Sequence, residues 1–95
     1  MPYIFEIKDK SGRIIHLSEE RLKHILSEHP ALFNYTDELL KTLKEPIKIL
    51  PSKSDENVKK YYKWLKNKRK YLIVVVKYLN NHGFIITSFF VGNIK

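Results

Sequence analysis

Tyr71 to Leu79 is apolar on both of its alternating faces, with Lys77 the one charged interruption. A strand of this pattern needs cover on both sides, so it belongs at the centre of a sheet. Asn80-Asn81-His82-Gly83 reads as a hairpin turn, and Phe84 to Val91 as the returning partner strand. With 95 residues and 43% hydrophobic content, the chain holds one small domain with an adequate but not large core. Three glycines, four prolines and a 13% aromatic share exclude a collagen-like or generally disordered chain. The longest unbroken apolar run, Leu72 to Val76, is far too short to cross a bilayer. Met1 to Arg13 lacks the basic-then-apolar layout of a signal peptide. The expectation is a soluble, cytoplasmic protein without a membrane partner.

Upstream of that hairpin the elements follow in a readable order. Tyr3 to Ile7 and Arg13 to Leu17 are short strands around an Asp9-Lys10-Ser11-Gly12 turn. Ser18 is a helix N-cap, with Glu19 and Glu20 in the first turn, and Leu22, Ile25, Leu26 and His29 fall at helical spacing before Pro30. Thr36 caps a second helix that carries Leu39, Leu40 and Leu43 and closes at Pro46. Ile47 to Leu50 and Val58 to Leu65 are further strands. The expected fold is α+β, with two N-terminal helices packed on an antiparallel sheet of about four strands. Its parts are an N-terminal β-hairpin over 1–17, two helices over 18–45 and the sheet over 46–95. Whether the opening hairpin extends that sheet or stands apart is left open.

Charge is uneven along the chain. Residues 1–45 carry seven basic and eight acidic groups, net −1, whereas residues 46–95 carry eleven and two, net +9. Lys59, Lys60, Lys63, Lys66, Lys68, Arg69 and Lys70 follow one another with no acid among them. Such a field attracts a polyanion, and nucleic acid is the usual one. The plainer reading is a lysine-rich surface that keeps an edge strand soluble. Alternation in Val58 to Leu65 puts Tyr62 and Trp64 on one side and Lys59, Tyr61 and Lys63 on the other. Burying the single tryptophan contributes most, so Lys59, Tyr61 and Lys63 are expected to face solvent away from the helices, continued by Arg69 and Lys70.

Several chemistries are excluded by inventory. Cysteine is absent, which removes disulfides, thiolate nucleophiles and zinc–sulfur sites. Neither His-Glu-x-x-His nor a Gly-x-Ser-x-Gly elbow occurs, and no glycine loop can cradle a phosphate. No metal site and no cofactor are expected. Metal-independent cleavage of RNA remains, because RNA supplies its own nucleophile in the 2′-hydroxyl. Arg21, His24 and Glu28 recur at i, i+3, i+7 and form one polar helix stripe. An imidazole between a cation and a carboxylate fits acid/base work, and the same spacing fits an ordinary surface charge network. His29 suits a helix-ending backbone contact, and His16 and His82 have no partner visible in sequence. Lys77, Thr87 and Ser88 are polar interruptions in apolar strands and call for a reason, although Lys77 can snorkel to solvent. Regular hairpin pairing sets Lys77 and Thr87 on opposite faces, so a joint site needs an odd loop or a bulge.

Ile15-His16-Leu17-Ser18-Glu19-Glu20-Arg21, then His24-Ile25 and His29-Pro30, resemble the opening of a family of small phage- and plasmid-associated proteins. Leu43-Lys44-Glu45-Pro46, Tyr61-Tyr62, Tyr71-Leu72 to Lys77, Phe84-Ile85-Ile86-Thr87 and Ile94-Lys95 fall in the same order. That family belongs to the barnase/EndoU/colicin/RelE-like (BECR) ribonucleases. The resemblance implies a RelE/barnase-like fold and a metal-independent RNase of the kind used as toxins in conflict systems. In this reading His24 is the acid/base, Arg21 and Lys77 hold the phosphate, and Thr87 orients the scissile group. Lys59, Tyr62, Lys63, Arg69 and Lys70 guide the strand by charge and stacking. RNA is the expected partner, with a cognate antitoxin or inhibitor protein as a second. A non-catalytic nucleic-acid-binding module of the same fold and a protein-interaction subunit are the alternatives.

Overall fold

The computed structural model describes residues 3–94; Met1, Pro2 and Lys95 lie outside the described residues. In chain order the elements are β1 (Tyr3–Lys8), β2 (Ile14–Ser18), α1 (Glu19–Glu28), a 3-10 turn (Pro30–Leu32), α2 (Thr36–Lys44), β3 (Lys48–Pro51), β4 (Val58–Leu65), β5 (Lys70–Tyr78) and β6 (His82–Val91). The strands form one six-stranded sheet in the order β1-β2-β6-β5-β4-β3. Neighbours are antiparallel except β2 and β6, which run parallel through Ile14↔His82, Ile15↔Gly83 and His16↔Phe84.

This corrects the expected antiparallel sheet of about four strands. The opening hairpin is part of the sheet and makes it mixed. Two physical effects favour the docking. It pairs the first residues of β6, which would otherwise present an open edge. It also brings Ile15 and Leu17, both fully buried, into the layer beneath the helices. In that layer they join Tyr61, Leu65, Leu72, Val74, Val76, Tyr78 and Ile85 of the sheet, with Ile25, Leu32, Leu39 and Leu43 above.

Helix signals act largely as read. The Ser18 hydroxyl oxygen accepts from the Arg21 backbone N–H at 3.1 Å and opens α1. Thr36, expected as a cap, is instead the first residue of α2, where no side-chain cap bond forms. β2 meets β6 only at His82 to Phe84, the chain turns into α1 after Ser18, and α1 packs beside β6 beyond that point. A groove results between α1 and β6.

The β5–β6 pairing contains a bulge. Val76 faces Ile85 and Val75 faces Thr87, which leaves Ile86 as the extra residue. Lys77 pairs with Phe84, so Lys77, Val75 and Thr87 all lie on the sheet face away from the helices. The faces of β4 are the reverse of the expectation. Tyr61 is 3% exposed and sits in the core beneath the helices, while Trp64 is 40% exposed on the other face. Tyr61 gains buried hydrogen bonds to Asp9 and Tyr78 there, and Trp64 packs edge-to-face on Tyr71 at 4.9 Å. Those polar partners outweigh the extra apolar area of the tryptophan.

Candidate active site

Arg21, His24, Glu28 and His29 project from α1 and its end across the groove towards Ile86, Thr87 and Phe89 of β6. The hollow they line holds about 390 Å³. The Ile86 bulge brings Thr87 onto the open face, and α1 beside β6 brings the polar helix stripe to it. A second hollow, lined by Ser18, Glu20, Arg21 and His24, adjoins the first through Arg21 and His24. His24 Nε2 lies 3.3 Å from Glu28 Oε1, with both side chains more than half exposed. The carboxylate therefore pairs with the imidazole while leaving it open to solvent.

Of the four residues expected to act in catalysis, three meet in this groove: Arg21, His24 and Thr87. Lys77 is elsewhere. Its Nζ lies 2.6 Å from Asp55 Oδ2, which anchors the β3–β4 loop against β5. The hydrogen bond from Lys77, with that from the Asn57 backbone, holds the Asp55 carboxyl below its usual range. An ammonium paired in this way is drawn from the groove, so the shared face of Lys77 and Thr87 does not make a joint site.

The residues expected to bind nucleic acid divide between surfaces. Lys59 and Lys63 share the helix-side face of β4 with Tyr61, and Lys63 lines a hollow with Asp37 and Glu38 of α2. Arg69, in the β4–β5 turn with φ 53°, and Lys70 are both exposed. Tyr62 lies on the open face but is only 2% exposed, so its ring is not accessible for stacking a base, and burial raises its pKa. Lys60 is the lysine of β4 on that face, in a hollow with Tyr62, Ile73, Phe89, Val91 and Asn93. Phe89 belongs to both this hollow and the α1–β6 groove.

Sequence reasoning gave the other histidines structural or solvent-exposed roles, and the His29 backbone N–H does close α1 on the Ile25 carbonyl. His29 lines the groove and stacks on Phe89 at 5.6 Å. His16 and His82 meet edge-to-face at 5.5 Å through the parallel β2–β6 pairing. Only His29 left a trace in the sequence, in its helical spacing with Leu22, Ile25 and Leu26. Among the described residues, no cluster of three or more His, Cys, Asp or Glu could hold a metal ion, and no helix is long and apolar enough to cross a membrane.

The mixed six-stranded sheet thus carries, beside β6, a groove with one arginine and two imidazoles. The family model described as phage-Barnase-EndoU-ColicinE5/D-RelE like nuclease2 (PBECR2) matches residues 5–94, and the chain belongs to that nuclease family. No curated protein and no solved structure matches it.

Proposed function

We propose that the protein is a metal-independent RNA endonuclease acting in the α1–β6 groove. The reading rests on one observation, that Arg21, His24 and Thr87 line the same hollow. His24 takes the proton of the 2′-hydroxyl as its oxygen bonds to phosphorus. Arg21 stabilises the charge that builds on the phosphorane oxygens, and Thr87 donates a hydrogen bond to them. The bond from phosphorus to the 5′-oxygen then breaks, and His29, the second imidazole of the groove, protonates that oxygen. The products are a 2′,3′-cyclic phosphate and a 5′-hydroxyl. Membership of a phage-named nuclease family supports a toxin role in a conflict system, restrained by a cognate antitoxin or inhibitor protein.

Incubation with RNA in EDTA tests the reading. Cleavage that persists in EDTA and disappears in His24→Ala is expected; cleavage lost on chelation, or equal in the variant, overturns it. The exposure of both His24 and Glu28 favours a second reading, a nucleic-acid-binding module in which they form only a surface pair. Salt-sensitive binding of RNA that stays intact would select that reading.

A further inference from the structure

We propose that the hollow between β2, β6 and the start of α1 is a nucleotide subsite, in which His16, His82 and Arg21 hold a phosphate and Phe84 carries the attached base. The proposal rests on the RNase reading for its ligand, one nucleotide of an RNA strand next to the cleaved one. The hollow holds about 310 Å³ and is lined by His16, Ser18, Arg21, Leu79, His82 and Phe84, with Ile85 at its floor. That volume lies at the small end of the range for small-molecule sites.

The parallel pairing of β2 with β6 builds it. His16 and Phe84 face each other in register, and the ring centroids of His16 and His82 lie 5.5 Å apart at 71°. His16 Nδ1 is 2.8 Å from Glu6 Oε2 on β1. From α1, Arg21 contributes a guanidinium cation, and it is shared with the catalytic groove. A strand whose scissile phosphate lies at His24 can therefore extend to a second phosphate without leaving Arg21. Leu79 and Phe84 are exposed apolar side chains at the mouth, and Phe84 gives a base an aromatic surface.

Arg21, His16 and His82 line the hollow from α1, β2 and β6, and Glu6 of β1 lies against His16. The imidazole N–H groups join the guanidinium in donating to phosphate oxygens.

The test is NMR titration of the four imidazole C2–H resonances of the full chain with adenosine 5′-monophosphate and, separately, inorganic phosphate. The His16 and His82 resonances move with the nucleotide. Phe84→Ala weakens the nucleotide but not inorganic phosphate, and His82→Asn weakens both. In RNA cleavage, His82→Asn raises KM with kcat little changed. Movement confined to His24 and His29, or a His82→Asn variant with wild-type affinity for both probes, overturns the subsite and leaves the RNase reading intact. Should RNA stay intact while the nucleotide still moves His16 and His82, the subsite holds and the RNase reading falls.

Discussion

The Tyr78 hydroxyl donates to Asp9 Oδ2 at 2.5 Å, joining positions 69 apart in the chain. The Tyr61 hydroxyl donates to that of Tyr78 and lies 3.2 Å from the same carboxylate oxygen. Asp9 Oδ1 accepts from the Ser11 backbone and hydroxyl and from the Arg13 backbone. Arg13 lies over the Tyr78 ring at 4.7 Å. One buried carboxylate thus fastens the β1–β2 turn to the middle of the sheet. Tyr78→Phe removes a bond to a buried charge and is expected to cost about 1.5–3 kcal/mol in urea unfolding. Tyr61→Phe, at the longer contact, costs less. Equal losses, or none for Tyr78→Phe, would show that the carboxylate is satisfied without it.

The same network sets a pH window. Burial pushes the Asp9 carboxyl up, but hydrogen bonds from Tyr78, Ser11 and the Ser11 and Arg13 backbone together outweigh it and hold the group below its ordinary value. A carboxyl lower in the folded than in the unfolded chain stabilises the fold above pH ~4, and this is lost as pH falls through the folded value. Tyr61 goes the other way, pushed up to about 12 mainly by burial, and Tyr78 is raised as well. Their contribution is complete below pH ~10 and is lost as pH rises through the folded values. Melting temperature against pH should fall at both ends, with a shallower acid limb in Asp9→Asn. An unchanged acid limb in that variant assigns the acid loss to other carboxylates.

Gly83 carries the parallel register. It pairs with both Ile15 and Tyr78, and a Cβ there would meet the Lys77 carbonyl oxygen at 2.8 Å and Ile15 Cδ1 at 3.1 Å. The carbonyl is backbone and cannot swing away. Gly83→Ala should cost roughly 1–3 kcal/mol as the two strands are forced apart. A change within about 0.5 kcal/mol would mean that the β2–β6 contact relaxes freely.

The parts of this fold set by local pattern were legible in the sequence. The Ser18 cap depends on a bond three residues away, and the β5–β6 hairpin on a two-face apolar run and a short turn. What escaped was decided by distant partners. Alternation in β4 defines two faces but not their direction, and Tyr61 turned inward because Asp9, 52 positions earlier, is waiting there. The parallel β2–β6 contact has no local signature, so the mixed sheet and the meeting of His16 with His82 were invisible. The Ile86 bulge was recognised only as a requirement for bringing Lys77 and Thr87 to one face. Lys77 looked catalytic because its partner, Asp55, lies on a polar loop with no periodicity.

Groove substitutions should separate chemistry from stability. His24→Ala is expected to lower RNA cleavage by about 10²–10⁴-fold, the range for an acid/base group. Its melting temperature should stay near wild type because the side chain is exposed. Thr87→Val and Arg21→Lys should lower kcat, whereas Lys77→Ala should spare cleavage and loosen the β3–β4 loop. A Lys77→Ala enzyme as impaired as His24→Ala would bring Lys77 back into the mechanism.

Lysine location, rather than lysine number, should govern RNA binding. Lys60 lies on the open face in a hollow that reaches the catalytic groove through Phe89, so an RNA strand leaving His24 along the sheet meets it. Lys63 lies on the helix side, in a hollow with Asp37, Glu38, Lys41 and Lys66 that shares no residue with the catalytic groove. Lys60→Glu should therefore weaken RNA binding and reduce the magnitude of the salt slope by about one, as loss of one phosphate contact does. Lys63→Glu should leave the slope close to wild type, even though both substitutions change net charge equally. Fluorescence anisotropy with a short labelled RNA over a salt series reads the difference. Identical slopes for the two variants would mean that the basic surplus acts as a diffuse field with no path for the strand.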